Sequence, residues 1–283
     1  VGQGLVLFLG GLFLYKTKKM DLAGIISCAG VFSVFFGFMY GSFFGFEDVL
    51  KAIWLKPMNQ MMDVPLVGRL NAVFVIAIGF GMFIILICMI FNIINSIRNK
   101  DTEKAWFDSN AVAGLVFYGS IVLTVGLFIS GRKLPATAVL VVMFGVPLLL
   151  MFLKEPLTNL VEKKSKIFPE QKGMFFVQSF FELFEVLLSY LSNTLSFLRI
   201  GAFAVSHAAM MEVVLMLAGA TNGGSPNWIV VVLGNIFVCA MEGLIVGIQV
   251  LRLEYYEIFS RFYAGNGREF QPFMKTLRKS VQK

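Results

Sequence analysis

The sequence predicts an all-α polytopic membrane protein, a helical bundle whose last two helices are too long to stand upright in a bilayer. Three observations carry this. Hydrophobic residues make up 58% of the chain and charged ones 14%, against about 45–50% and about 25% in soluble domains. Phe and Gly are abundant, at 31 and 27 residues, and Gly is commoner in membrane helices than in soluble ones. Several stretches exceed the roughly 18 mostly apolar residues that mark a bilayer span. The net charge of +7 fits basic loops gathered on one membrane face and needs no nucleic-acid partner.

Seven apolar segments follow one another. The first, about Val1 to Tyr15, is short and ends at KTKK; the second runs from about Leu22 to Phe46. In the second, GFMYGSFFG sets Gly37, Gly41 and Gly45 four residues apart, as on one packed helix face. The third is about Leu66 to Ile97, followed by RNKDTEK, the fourth Ser109 to Ser130, and the fifth Leu134 to Leu153, with Pro147 expected to kink it. After the polar KEPLTNLVEKKSKIFPEQK, the sixth runs from Gly173 to Leu217. A turn, GATNGGSPN, leads to the seventh, Trp228 to Phe262, and a basic tail follows. At 1.5 Å per residue the sixth measures roughly 68 Å, about twice the ~30 Å hydrocarbon core, so it must tilt, bend or project.

Cations set the orientation. Lys16, Lys18, Lys19, Arg98, Lys100, Lys104, Lys154, Lys163, Lys164, Lys166, Lys172 and the tail lie on one side. Only Lys51, Lys56, Arg69, Arg132 and Lys133 lie on the other. The richer side is expected to be cytoplasmic, with the C-terminus there and Val1 outside. The chain opens at VGQGLVLFLG with neither Met nor a basic leader, and is expected to be a piece of something longer. Cys28, Cys88 and Cys239 have no metal-ligand or disulfide spacing and are expected to be buried thiols. GxxxxGK[ST], nucleophile-elbow and HExxH patterns are absent, so no catalytic residue, metal site or bound cofactor is expected.

Ionisable residues inside spans are costly unless they face protein or water. They concentrate in the last two segments: Glu182, Glu185, Arg199, His207 and Glu212, then Glu242, Arg252, Glu254 and Glu257. Arg199 has no acid within a turn and cannot shed its charge. The two segments run antiparallel, and Arg199 and Arg252 lie at similar distances from the turn, hence at similar depth. His207 lies roughly 12 Å and Glu242 roughly 15 Å beyond them toward the turn, again level. Glu185 lies about 21 Å from Arg199 in the other direction, with Ser189, Ser192, Asn193 and Ser196 as a polar stripe between. The pattern is two polar pockets separated by a cation pair. No continuous cation pore fits it. Two offset half-channels do, if a separate acidic carrier takes ions past the barrier. A secondary transporter with an intramembrane charged site is the alternative, although no internal repeat is visible. A scaffold with buried ion pairs is a further one.

The stretches SNTLSFLRIGAFAVSHA and MEGLIVGIQVLRLEYYEIFSRFY with the later F.PF resemble the membrane domain of subunit a, or subunit I, of V-type and A-type rotary ATPases. GQGLVLFLGGLFLYK and FSVFFGFMYGSFFG are similar to its early spans. The resemblance implies peripheral spans over 1–153, a cytoplasmic loop over 154–172, an ion-pathway helix pair over 173–264 and a cytoplasmic tail over 265–283. It further implies one missing preceding helix and a missing N-terminal cytoplasmic domain. It implies that the long pair faces a rotor ring of proteolipid c/K subunits with mid-membrane carboxylates, and that stalk subunits and lipid are the other partners. Arg199 and Arg252 would form the barrier, His207 and Glu242 the outer half-channel, and Glu185, Ser189, Ser192, Asn193 and Ser196 the cytoplasmic one. Gln249 and Glu254 are further candidates. The transported ion would be H+ or Na+, and the chain would not be catalytic by itself. Asn193 stands where eukaryotic members have His; the terse loops point to a prokaryotic cell membrane.

Overall fold

The computed structural model describes residues 1–46, 50, 52–54, 61–64, 68–99, 103–132, 135–161, 172–220, 226–263 and 265. The loop cations Lys51, Lys56, Lys100, Lys133, Lys163, Lys164 and Lys166 lie outside them, as do NGGS at 222–225 and the tail motif at 270–273. The side chains of Arg69, Lys104 and Lys172 do too. Among the described residues, five helical stretches are long and apolar enough to cross a membrane, Asp21–Tyr40, Ala72–Arg98, Ala105–Ile129, Gly173–Leu217 and Trp228–Phe262, and the bent pair Thr137–Phe152 with Lys154–Val161 makes a sixth if it counts as one span. The last two of the five match the sequence boundaries of the long pair. Helix α1 (Gly2–Lys18), at 17 residues, is at the short end of the spanning range.

α1 pairs with α2 (Asp21–Tyr40) as a tight hairpin built on small residues. A Cβ on Gly4 would lie 2.7 Å from the Val34 backbone nitrogen, and one on Gly30 2.5 Å from that of Phe8. These glycines let the two backbones touch. The Gly37–Gly41–Gly45 face does not form. α2 ends at Tyr40, Gly41 (φ +69°) and Gly45 (φ +91°) take left-handed conformations, and Ser42 N–H and Gly41 N–H bond back to the carbonyls of Gly37 and Phe38. The four-residue spacing is that of a helix stop, not of a helix face.

A two-stranded antiparallel hairpin, β1 (Met61–Val64) and β2 (Gly68–Asn71), precedes α3 (Ala72–Arg98), where the apolar pattern alone suggested continuous helix from Leu66. Asn71 ends the strand and caps the helix, its side-chain oxygen accepting from Val73 N–H at 3.0 Å. After a π-helical turn, Glu103–Phe107, come α4 (Val112–Ile129), α5 (Thr137–Phe152) and α6 (Lys154–Val161). Pro147 lies inside α5, but the sharp bend, 73° between α5 and α6, falls at Leu153. Pro156 explains the place: it cannot bond the Phe152 carbonyl, so α5 stops, and Pro is tolerated in the first turn of α6.

α7 (Lys172–Ser196) and α8 (Leu198–Leu217) are separated by a single residue, Phe197, and α9 (Trp228–Leu253) returns antiparallel to α8. α9 widens into a π-helical stretch, Glu254–Phe259, and closes with α10 (Ser260–Phe262). The main core joins α3, α4, α5, α7 and the end of α9, with Ile85, Met89, Phe117, Tyr118 and Tyr190 buried. Cys88 is buried as expected; Cys28 is exposed and Cys239 half-buried, because their helices face outward on that side.

Phe197 is fully buried and breaks the α7–α8 ladder: its N–H reaches Thr194 and its carbonyl receives Ile200 N–H, both three residues away. Its ring sits where a Cβ on Gly81 of α3 would be, 2.2 Å away, whereas Gly79 has open space. Gly81→Ala is expected to lower the melting temperature of the detergent-solubilised protein, by an overpacking cost of about 1–3 kcal/mol. Gly79→Ala should leave it unchanged.

Candidate functional site

Cross-helix contacts fix the register of α7–α8 against α9. Val214 meets Gly234, His207 meets Glu242, Ser196 meets Glu257, and Tyr190 lies under Arg261. The steady pairing brings Arg199 level with Arg252 to within a turn. Among the described residues no carboxylate lies within ion-pair distance of either guanidinium. Arg199 is half-buried, and one of its terminal nitrogens is buried without a hydrogen-bond partner among them; Arg252 is exposed. Gln249, one turn from Arg252, likewise holds its side-chain oxygen buried and unpartnered. Buried polar atoms are rarely left so. A donor and an acceptor are thus held ready near one level, two residues past the Phe197 break.

On the turn side, His207 Nδ1 lies 2.5 Å from Glu242 Oε2, with the side chains 35% and 20% exposed. Both come from faces that the register turns toward each other. A cavity of about 220 Å³ lies on the His207 side of the pair, lined by His207, Ala204, Gln3, Ser33, Tyr40 and Ser42. Gln3 of α1 donates to Asn235 of α9 at 2.8 Å, tying the hairpin to the long pair. The sequence did not reveal Gln3 and Asn235 as partners, since they lie 232 residues apart; polar residues inside two apolar spans were the available signal.

On the tail side, Asn193 donates to Ser189 at 3.3 Å, and both line a cavity of about 100 Å³ with Ser109, Asn110, Tyr190 and Arg261. Ser192 and Glu185 are exposed, and among the described residues no hydrogen bond joins Glu185 to the stripe. Glu182 bonds instead to Lys154 at 2.8 Å, pinning α7 to α6. Glu254 is half-buried at the start of the π-helical stretch.

Glu257, which counts among the ionisable residues of the last span but had no site role in the sequence, and Arg261, which was not singled out, are both only 6% exposed. Ser196 hydroxyl donates to Glu257 Oε1, while Oε2 is buried with no partner among the described residues. Arg261 donates to Asn110 Oδ1 at 2.9 Å and to the Glu257 backbone carbonyl at 3.2 Å, and lies 5.8 Å from the Tyr190 ring centroid. Leu253, Glu257 and Arg261 are all buried at four-residue spacing. In an ideal α-helix the third would drift about 80° off the face of the first. The widened turns of the π-helical stretch keep all three on it.

Residues 158–275 match the V-type ATPase 116kDa subunit family. A-type ATP synthase subunit I of Aeropyrum pernix is 27% identical over 312 aligned positions, covering 96% of this chain and 44% of that protein. Subunit I of Saccharolobus solfataricus is 42% identical over 100 positions, covering 32% and 14%. Human V-type proton ATPase 116 kDa subunit a 4 is 30% identical over 114 positions, covering 36% and 13%. The chain spans less than half the length of each. These relatives are of one kind, subunit I on the A-type side and subunit a on the V-type side, and the chain is similar to the A-type one over nearly its whole length and to the V-type family over residues 158–275.

Proposed function

We propose that this chain is the stator membrane subunit of a rotary V/A-type ATPase, forming two offset half-channels for H+ or Na+ against a ring of small proteolipids. The observation that carries the reading is the unpartnered Arg199 guanidinium, level with Arg252 and flanked along the helices by one polar contact on each side. A permanent cation held so has a use for a partner that comes and goes. A carrier carboxylate arriving at Arg199 is favoured in its ionised form and gives up its ion. Leaving toward either flank, it reloads from the water-accessible pocket there. Fixed positive charge at the level of the pair keeps ions from crossing without the carrier. The cytoplasmic half-channel is the tail-side one, with Ser189, Asn193 and Ser196 on its wall; the outer one contains His207 and Glu242. Each charge crossing the membrane exchanges about 2.3 kcal/mol per 100 mV, so several ions per nucleotide match ATP chemistry. Stalk subunits would hold the chain against the ring's rotation, mainly through parts that its longer relatives carry. The tail would lie in the cytoplasm.

Ile248 is 59% exposed, one turn from Arg252. In the assembled complex, Ile248→Cys is expected to form a disulfide with a Cys placed beside the mid-membrane carboxylate of the co-purifying proteolipid. Val141→Cys on α5, also exposed at 65%, should not. Equal cross-linking at both, or at neither, contradicts a ring against the long pair.

A further inference from the structure

We infer that Glu257 is the ion-relay carboxylate of the tail-side path, handing ions between the Ser/Asn stripe of α7 and the Arg199–Arg252 level; this rests on the half-channel reading above. Glu257 is the buried acid nearest that level. Its partner Ser196 lies three residues, about 4.5 Å along the helix, from Arg199. Glu185 by contrast is exposed and about 21 Å away along the helix.

Glu257 has one oxygen held and one free. Oε1 accepts from Ser196; Oε2 is buried and unpartnered among the described residues. A buried carboxylate is costly unless paired or fully hydrogen-bonded, so an unsatisfied oxygen calls for an explanation. A structural ion pair does not supply one. Arg261, the cation one turn away, turns its bonded nitrogens to Asn110 and to the Glu257 backbone carbonyl, and no carboxylate contact within 4 Å joins the two side chains. Arg261 is therefore a positioning residue: it anchors the π-helical stretch to the α3–α4 connection and leaves the carboxylate open.

The polar cavity of Ser189, Asn193, Asn110, Ser260 and Arg261 lies within a turn of Glu257 on its tail side. The carboxylate thus stands between a polar cavity on one side and the arginine level on the other. Glu242 holds the matching place on the turn side, contacted from α8 as Glu257 is from the end of α7. In the relay Oε2 takes up H+ (or coordinates Na+) arriving along the stripe and passes the same ion to the carrier carboxylate. Nothing is consumed, and only the O–H or ion–oxygen contact is exchanged.

The test uses the whole ATPase complex in vesicles, comparing ion uptake per ATP hydrolysed. Glu257→Gln keeps volume and the Ser196 contact but not ionisation, and is expected to cut that ratio about 10-fold or more. Glu257→Asp should restore most of it. Arg199→Ala in parallel separates the failures. Loss with Arg199→Ala but wild-type coupling with Glu257→Gln overturns the relay alone; wild-type coupling in both overturns the half-channel reading itself. If Glu257→Gln fails to assemble, Ser196→Cys in a background with Cys28, Cys88 and Cys239 replaced decides. A membrane-impermeant cationic thiol reagent should modify it from the tail side, and no modification from that side overturns the relay.

Discussion

Arg199→Ala is expected to abolish coupled ion uptake while the assembled complex goes on hydrolysing ATP. At about 5 Å and an effective dielectric near 20, a fixed positive charge raises the energy of a passing cation by about 3 kcal/mol. That is on the order of 100-fold in leak rate. On the half-channel reading proposed above, removing it would open a path between the flanks and would also remove the group that makes the carrier release its ion. Lys at this position should rescue poorly, because an ammonium is a flexible point charge and cannot present the planar fork of a guanidinium to a carboxylate. Uptake and hydrolysis measured on the same vesicles check this. Were Arg199→Ala to assemble normally and pump at the wild-type ratio, the guanidinium would be only a structural group.

The second large effect concerns the turn-side pair. Glu242→Gln and His207→Ala are each expected to lower uptake by about 10-fold to 100-fold, the lower range for a positioned proton-transfer group. The two side chains touch at 2.5 Å, so they should act as one unit. The double variant should be little worse than either single one, since contacting residues couple and distant ones add. Fully additive losses would mean that the two serve separate steps. Hydrolysis rates uncoupled from the membrane should remain unchanged in all three.

How much of this was legible in the sequence differs from element to element. The long pair was, because uninterrupted apolar runs bounded by turn residues leave little choice, and Gly173–Leu217 and Trp228–Phe262 fall where composition put them. That His207 and Glu242 share a level followed from counting along two antiparallel helices, whereas their direct contact came only with the structure. Counting failed where the backbone departs from 3.6 residues per turn. The π-helical stretch turns Glu257 and Arg261 inward, and no propensity in EYYEIF marks it. Phe197 breaks the α7–α8 ladder because Gly81 on a distant helix leaves room for its ring, a cause that lies wholly in tertiary packing. Gly41 and Gly45 were misread for a related reason: spacing implies a face only if the helix continues, and glycine is also the residue that ends it. Pro147 drew attention from Pro156, whose missing N–H ends α5 at the place observed.

Arg199 is expected to divide two separate water-accessible routes. The most direct measurement is the sidedness of cysteine modification along α7–α8 in the assembled complex. Single cysteines at Ser189, Asn193, Ala204 and Ala208, in a background without Cys28, Cys88 and Cys239, are treated with a membrane-impermeant cationic thiol reagent from one face at a time. Positions 189 and 193 line the tail-side cavity and 204 and 208 the turn-side one. The first two are expected to react only from the tail side and the last two only from the turn side, with the switch at Arg199. Reaction of all four from a single face would mean one continuous aqueous path and would contradict that division.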